Sequence, residues 1–178
     1  MRKIRNEELG RKSLEDFRAA KKRPVIFVLD NVRSLLNVGS IFRIADAFLL
    51  GEIYLCGITA TPPHREIHKS ALGAEESVSW KYFKTTAEAL HLLASQSFTI
   101  VAIEQAEGQI SLQHFQVEGG KNYAFVFGNE ISGVSEEAME LCHHAVEIPQ
   151  AGTKHSLNVA VCAGIIAWQY TLLLGKIE

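Results

Sequence analysis

The stretch VIFVLDNVRSLLNVGSIFRIADAF, residues 25–48, decides the predicted fold of this chain. Its first six residues form a continuous apolar run that ends in Asp30, which is typical of a strand buried on both faces. The part from about Ser40 to Leu50 has the length and the apolar content of a helix that packs on such a strand. A buried strand followed by a helix is the repeating unit of a parallel sheet.

The same alternation continues along the rest of the chain. Further strands are predicted at 52–58, 77–83, 98–103, 123–128 and 144–149, and the run 77–83 alternates like an exposed or edge strand. Further helices are predicted at 13–22, 64–72, 86–95, 135–142 and 156–174. The predicted fold class is therefore α/β, with a mainly parallel sheet that carries helices on both faces.

The composition fits one globular domain in a reducing compartment. The chain has 178 residues, of which 47% are hydrophobic, and this is enough to bury a core. Cys56, Cys142 and Cys162 are too few and too scattered for a disulfide framework, which favours a cytoplasmic location. No secretory signal is visible at the start, and no run reaches the roughly 18 apolar residues that a membrane span needs.

Charge is distributed unevenly between the first 24 residues and the rest. Residues 1–24 hold nine of the 18 Lys and Arg and have a local net charge of +5, whereas residues 25–178 have a net charge of −7. This contrast divides the chain into a basic N-terminal arm, 1–24, and a main domain, 25–178. The positive charge of the arm indicates an anionic partner such as RNA or DNA. In the alternative interpretation, the arm is a solvated terminal helix without such a partner.

Three segments that follow predicted strands carry polar groups, at the place where open α/β sheets bind ligands. The first segment is Asn37-x-Gly39-x-x-x-Arg43. Gly39 is expected to turn the chain into the helix, Ser40 to cap it, and Arg43 to bind a phosphate near the helix start. In the alternative interpretation, Asn37 makes an ordinary turn and Arg43 pairs with Asp46.

The second and third segments follow later strands. In FGNEISG, residues 127–133, two glycines bracket Glu130 and let the backbone approach a ligand, although an ordinary strand-to-helix turn would look similar. It is neither a G-x-G-x-x-G motif nor a P-loop, so a nicotinamide or ATP fingerprint is absent. In IPQAGTKHSLNVAV, residues 148–161, Ser156 and Asn158 stand at the predicted start of a helix. In the alternative interpretation, Ser156 only caps this helix. The seven histidines have no metal-ligand spacing, so no metal site is predicted.

Taken in this order, the three segments resemble the signature motifs of the SpoU/TrmH ribose 2′-O-methyltransferases, which belong to the SPOUT superfamily. The resemblance covers residues 25 to about 172. It implies a Rossmann-like fold with a C-terminal trefoil knot, which topology rules alone would argue against because knots are almost absent from proteins. It also implies an enzyme that uses S-adenosyl-L-methionine, needs no metal, and acts as a homodimer packed largely through the terminal helices.

The resemblance also implies roles for individual residues. Four of them would contact the cofactor: Ile103, Gly128, Ile148 and Leu157. Five would form the catalytic site: Arg43, Asn37, Glu130, Ser156 and Asn158. Arg43 would be the catalytic arginine, and because a guanidinium is a poor base it would bind the phosphate of the target nucleotide or stabilise the developing alkoxide. The other four would hold the RNA and the surrounding loops.

The resemblance leaves the substrate open. A ribose of tRNA is the expected target, with rRNA as the alternative. A non-catalytic RNA-binding module with the same fold and a methyltransferase that acts on a base are two further alternatives. The sequence departs from many relatives at Ile131-Ser132, where a Gly and a basic residue are usual, and at Ala160, where Ser is frequent. These departures, together with His155, predict RNA contacts that differ from those of the relatives, with the methyl-transfer core unchanged.

Overall fold

A computed structural model describes residues 1–174, apart from the side chain of Asn6. The last four residues of the predicted main domain, 175–178, lie outside this range. Within it, the strands are β1 (Arg23–Asp30), β2 (Leu50–Cys56), β3 (Ser79–Phe83), β4 (Phe98–Ile103), β5 (Ile110–Ser111), β6 (Asn122–Phe127) and β7 (His144–Glu147). The helices are α1 (Leu14–Ala19), α2 (Leu35–Ala47), α3 (Arg65–Ala71), α4 (Ala74–Ser77), α5 (Thr86–Ser95), α6 (Glu136–Glu140) and α7 (Val159–Leu174). A 3-10 turn at Asn6–Leu9 precedes them.

The strands form one sheet in the order β3-β2-β1-β6-β4-β7-β5, and each pairing is parallel. β3 lies at an edge, as its alternating sequence predicts. β1 lies in the interior of the sheet, and its residues 25–30 are all buried, which explains the continuous apolar run. The two-residue β5 was not predicted, because so short a strand leaves no periodic signal.

Helices cover both faces of the sheet, which confirms the predicted α/β class. Along β1, Phe27 packs into one core with α2, α3 and α7, while Val28 packs into a second core with α5 and α6. Phe17 of α1 is 5% exposed and belongs to the first core, so the basic arm is anchored to the main domain. The arm boundary at residue 24 and the C-terminal knot stay predictions.

The start of α2 differs from the prediction. The helix begins at Leu35 rather than near Ser40, and Ser34 caps it by accepting a hydrogen bond from the Asn37 N–H at 3.3 Å. The predicted cap at Ser40 is therefore wrong. Gly39 does not turn the chain but lies inside the helix, where a Cβ atom would stand 2.3 Å from the Ile67 carbonyl oxygen of α3. Its lack of a side chain lets the two helices pack closely.

The start of α7 also differs. The helix begins at Val159, and Asn158 Oδ1 caps it by accepting hydrogen bonds from the Ala160 N–H at 2.9 Å and the Val161 N–H at 3.3 Å. The predicted cap at Ser156 is therefore wrong, because Ser156 lies two residues before the capping position. At the other end of the chain, α1 stops at Ala19, three residues short of the predicted end.

Two further expectations from the sequence concern the cysteines and membrane spans. Cys56, Cys142 and Cys162 are free thiols, and burial raises the pKa of Cys56 and of Cys142 to about 12. Among the helices of residues 1–174, none has the length and hydropathy that a membrane span requires.

Candidate active site

A cavity of about 750 Å³ opens at the carboxyl ends of three neighbouring strands. Ile103 at the end of β4, Gly128 just after β6 and Ile148 just after β7 line it, together with the exposed segment 155–158 that leads into α7. This is the position at which open α/β sheets bind ligands, and the volume is that of a typical small-molecule site. The cavity therefore gathers the second and third sequence segments into one place.

Glycine is required twice at the wall of this cavity. A Cβ atom on Gly128 would lie 2.0 Å from the backbone carbon of Gly133, and one on Gly133 would lie 2.2 Å from Glu104 Oε2. Gly133 also has a φ of +69°, which favours glycine. Two backbone hydrogen bonds of 2.9 Å between Asn129 and Gly133 close the turn. The two glycines thus let the turn after β6 close tightly at the wall of the cavity.

Glu130 joins this turn to the start of α2. Its carboxylate accepts hydrogen bonds from the Arg33 N–H at 2.9 Å, the Ser34 N–H at 3.0 Å and Asn37 Nδ2 at 2.9 Å. Asn37 Oδ1 in turn accepts a hydrogen bond from Asn158 Nδ2 at 3.1 Å. Partial burial raises the pKa of Glu130, but the hydrogen bonds outweigh it and hold the pKa below the ordinary value of 4.5. One residue from each of the three sequence segments thus belongs to a single network.

A buried carboxylate, which the sequence analysis did not single out, fixes the loops behind the site. Asp30 is 1% exposed at the end of β1. It accepts hydrogen bonds from Asn31 Nδ2 at 2.8 Å, Thr86 Oγ1 at 2.5 Å and the Ser135 N–H at 2.7 Å. Asn129 Nδ2 donates to the Asn31 carbonyl at 2.7 Å. An acidic residue that ends an otherwise apolar strand is a signal that would have found Asp30.

Two further carboxylates that sequence reasoning missed stand in the cavity wall. Glu104 accepts a hydrogen bond from the Val134 N–H at 3.0 Å, and Glu147 accepts one from Gln109 Nε2. Nothing in the sequence links these positions. They become neighbours in the wall because β4 pairs with β7 and the Glu104 N–H continues the pairing by donating to the Val146 carbonyl at 3.1 Å. Two carboxylates in one cavity favour a ligand that carries positive charge.

Comparison with known proteins identifies the family. The sequence profile of the SpoU rRNA Methylase family matches residues 24–168. The chain belongs to this family. Its fold accordingly resembles solved SpoU structures, among them the TrmH/SpoU tRNA modifying enzyme of A. aeolicus, with a TM-score of 0.79 at 26% identity over 90% of this chain and 81% of that one.

Other SpoU relatives act on different RNAs. The 23S rRNA (guanosine-2′-O-)-methyltransferase RlmB of Vibrio vulnificus is 28% identical over 92% of this chain, which spans only 65% of that protein. The tRNA (guanosine(18)-2′-O)-methyltransferase of Thermus thermophilus is 29% identical over 91% of this chain and 81% of its own length. A structure of the AdoMet-bound rRNA methyltransferase of Sinorhizobium meliloti has a TM-score of 0.78 at 26% identity, over 86% of this chain and 58% of that one.

Eight of the nine predicted site residues gather around the cavity of this SpoU protein. The four predicted cofactor contacts line it: Ile103, Gly128, Ile148 and Leu157. Glu130, Ser156 and Asn158 line it as well, and Asn37 is hydrogen-bonded to two of the lining residues, Glu130 and Asn158. Their roles toward a ligand stay predictions.

Arg43 is the exception. It is the ninth residue of α2, so the expectation that it stands in the first turn beside free N–H groups is wrong. It lies six positions after Asn37, which in a helix means about 9 Å of rise and about 240° of rotation. It is exposed and lines a different cavity, and no ion pair joins it to Asp46 among residues 1–174. The alternative pairing with Asp46 is therefore wrong too, since Asp46 instead accepts a hydrogen bond from Ser77 Oγ at 2.6 Å.

The departures from other SpoU proteins lie in two environments. Ile131 is 79% exposed at the mouth of the cavity beside Ser132, so both are available to a substrate. Ala160 is buried in the first turn of α7. His155 is exposed, and its carbonyl oxygen accepts a hydrogen bond from Gln105 Nε2 at 3.0 Å.

Metal-ligating groups meet elsewhere in this SpoU chain. Among the described residues, His68, Glu75 and Glu76 each place one ligand atom within 4.8 Å of the others. The His68 ring and the Glu75 carboxylate already hydrogen-bond to each other at 2.5 Å, and exposed acidic groups are common without an ion. The expectation that no metal is needed stays a prediction.

Proposed function

We propose that this protein is an S-adenosyl-L-methionine-dependent RNA methyltransferase that acts on a ribose 2′-OH of tRNA. The observation that carries the proposal is the network of Asn37, Glu130 and Asn158, which borders the cavity at the strand ends. It brings polar groups for a substrate next to a pocket of suitable size for a cofactor. The activities named for the SpoU relatives agree with it.

The residues of the cavity fit this cofactor. Ile103, Ile148 and Leu157 offer apolar contacts for a nucleoside. Gly128 keeps the turn after β6 compact beside them, because only a glycine fits against the backbone that follows. The carboxylates of Glu104 and Glu147 suit a ligand with an ammonium and a sulfonium group. When bound, S-adenosyl-L-methionine supplies a methyl group that is activated by its positively charged sulfur.

The main task of the protein is then alignment, because a ribose hydroxyl is a weak nucleophile. Positioning of two reactants contributes several kcal/mol to a rate, and a shift of about 1 Å costs up to about 100-fold. Glu130 is a positioning residue in this scheme, since its carboxylate accepts three hydrogen bonds from the segment 33–37 at the start of α2. Ser156 is exposed at the cavity and stands free to contact the ribose or its phosphate.

Arg43 acts on RNA rather than on the cofactor in this proposal, because it lies outside the cavity that would hold the cofactor. A guanidinium binds a phosphate with two parallel hydrogen bonds. It also stays protonated at any ordinary pH, which argues against a role as the base.

We propose tRNA as the substrate and keep rRNA as the alternative. Relatives of both kinds match the chain, the Thermus tRNA enzyme at 29% identity and the Vibrio rRNA enzyme at 28%. The free thiols Cys56, Cys142 and Cys162 support the proposed cytoplasmic location, where such RNAs are modified.

We further propose that the protein is a homodimer that packs through α7. Val161, Trp168 and Leu172 are exposed at spacings of seven and four residues, so they form an apolar stripe along one side of the helix. A helix that is apolar on all sides requires a cover on its outer face as well. A second copy of the chain provides that cover by pairing the stripe with itself, as a two-fold dimer does.

Methyl transfer from labelled S-adenosyl-L-methionine to unmodified tRNA and to 23S rRNA transcripts tests the proposed function. Label should enter tRNA, and nucleoside mass spectrometry should place it on a ribose. Label on a base, or in rRNA alone, would contradict the proposal in part. RNA binding without any transfer would instead indicate a non-catalytic module.

A further inference from the structure

A second cavity, of about 1130 Å³, lies between the basic arm and α2. We call it the arm groove. One wall is the arm segment from Leu9 to Leu14, which contributes Arg11 and Lys12, and the opposite wall contains Arg43 of α2. Phe17 forms part of the floor and is anchored in the core, so the groove is built into the folded chain.

Cations dominate the arm groove. Arg11, Lys12 and Arg43 are exposed, and among residues 1–174 none of the three forms an ion pair with a carboxylate. The two carboxylates in the lining belong to Asp46 and Glu76. Asp46 is engaged by the Ser77 hydroxyl, as described above. Three unpaired cations that face one groove in an otherwise acidic body attract an anionic ligand to that place.

Arg18 adds a further cation near the groove. Its guanidinium donates a hydrogen bond to the Glu76 carbonyl oxygen at 2.7 Å. The bond fixes α1 against α4 and places positive charge close to Glu76. The arm is thus held against the domain by both apolar and polar contacts, and a ligand in the groove does not have to order it first.

We propose that the arm groove binds the phosphodiester backbone of RNA, with Arg11 and Lys12 on one side and Arg43 on the other. The proposal rests on the proposed function, because it takes its ligand from the RNA substrate. It accounts for the position of Arg43, which faces the groove instead of the cofactor cavity. The groove is a binding site distinct from that cavity, and it recognises phosphates rather than bases.

Binding of a fluorescently labelled oligouridylate, measured by anisotropy at several salt concentrations without cofactor, tests this proposal. Each phosphate contact contributes about 0.7 to the slope of log affinity against log salt for a single strand. Arg11→Ala with Lys12→Ala should lower the slope by about 1.4, and addition of Arg43→Ala should lower it by about 0.7 more. Arg11→Lys with Arg43→Lys should keep the slope, because the charges remain.

The matched control is Arg65→Ala with Lys84→Ala, which removes two exposed cations that line neither cavity. Slopes that fall equally in the control and the groove variants, or that stay unchanged in the groove variants, would overturn the proposal. Since the assay contains no cofactor, its result does not depend on catalysis. Methyl transfer with unchanged slopes would refute the groove alone, whereas lowered slopes without any transfer would refute the proposed activity alone.

Discussion

Glu130 and Asn37 lie 93 positions apart in the chain, yet the Asn37 amide donates a hydrogen bond of 2.9 Å to the Glu130 carboxylate. The same carboxylate accepts the N–H groups of Arg33 and Ser34. The turn after β6 is therefore tied to the start of α2 at three points. Anything that shifts the turn also shifts the polar groups beside the cavity.

The contribution of the Glu130 hydrogen bonds to the free energy of unfolding is expected to depend on pH. The folded pKa of Glu130 lies below 4.5, so its carboxylate stabilises the fold in full above that pH and loses the contribution as pH falls through the folded pKa. Glu130→Gln should lower the free energy of unfolding by about 1 kcal/mol at pH 7, a modest value because the group is exposed. Urea unfolding at pH 7 and pH 3 checks this. A difference between the two proteins that is as large at pH 3 as at pH 7 would contradict the assignment.

Asn158 has two roles that substitution can separate. Asn158→Ser keeps an oxygen that caps α7 but removes the amide that donates to Asn37. We expect an unfolding temperature close to wild type and a methyl transfer rate lowered about tenfold or more, because the network loses one link. Asn158→Ala should also lose about 1 kcal/mol of stability with the cap. Equal unfolding temperatures for the two variants would argue against the capping role.

Gly128 should tolerate no side chain. In Gly128→Ala the new Cβ would meet backbone atoms, which cannot move aside as a side chain can, so a loss of about 2 kcal/mol or more is expected together with weaker cofactor binding. Gly152→Ala is the matched control, because its Cβ would meet nothing within 4 Å. Thermal unfolding and calorimetric titration with S-adenosyl-L-methionine measure both effects. Similar behaviour of the two variants would refute the close approach.

Arg43→Ala should separate the RNA from the cofactor. Methyl transfer is expected to fall by about tenfold or more, since the loss of one charged hydrogen bond to a phosphate costs about 1.5–3 kcal/mol. Affinity for S-adenosyl-L-methionine should stay nearly unchanged, because Arg43 does not line the cavity. Transfer at the wild-type rate would show that Arg43 has no role in the reaction. A large loss of cofactor affinity would show that Arg43 contacts the cofactor, which contradicts its assignment to RNA.

The stripe on α7 gives a direct test of the dimer. Trp168→Glu with Leu172→Glu should shift the mass measured by light scattering from a dimer to a monomer, because four charges would face one another at a two-fold interface. Ile58→Glu also places a charge on an exposed apolar residue, but away from α7, and should leave the mass unchanged. A wild-type protein that is monomeric at all concentrations would refute the proposal at once.

The sequence predicted the sheet well, because buried parallel strands produce short apolar runs that are bounded by turn residues. β1 and β6 lie where such runs occur, and β3 lies at the edge that its alternation indicates. The helix starts were less accurate. Ser34 and Asn158 cap α2 and α7, whereas Ser40 and Ser156 were expected to, because several residues near each start have equally good capping side chains.

The site was predictable in part. The resemblance to SpoU/TrmH proteins named nine residues, and eight of them gather around one cavity. They do so because each motif follows the end of a strand, and the strand ends meet at one edge of the sheet. Local reasoning placed Arg43 near a helix N-terminus, and that failed because the true start of α2 lies five residues earlier than expected. Glu104 and Glu147 were missed because only the pairing of β4 with β7 makes them neighbours. Asp30 carried a visible signal that was not used.

The contact between Gly39 and α3 limits how the protein can accommodate its ligands. With the Ile67 carbonyl oxygen so close to Gly39, α2 has no room to slide or rotate against α3. Asn37 and Arg43, which both belong to α2, therefore keep their positions relative to α3 while ligands bind and leave. We expect the movement that admits substrate and releases product to occur instead in the exposed segment 150–158, part of which lines the cavity.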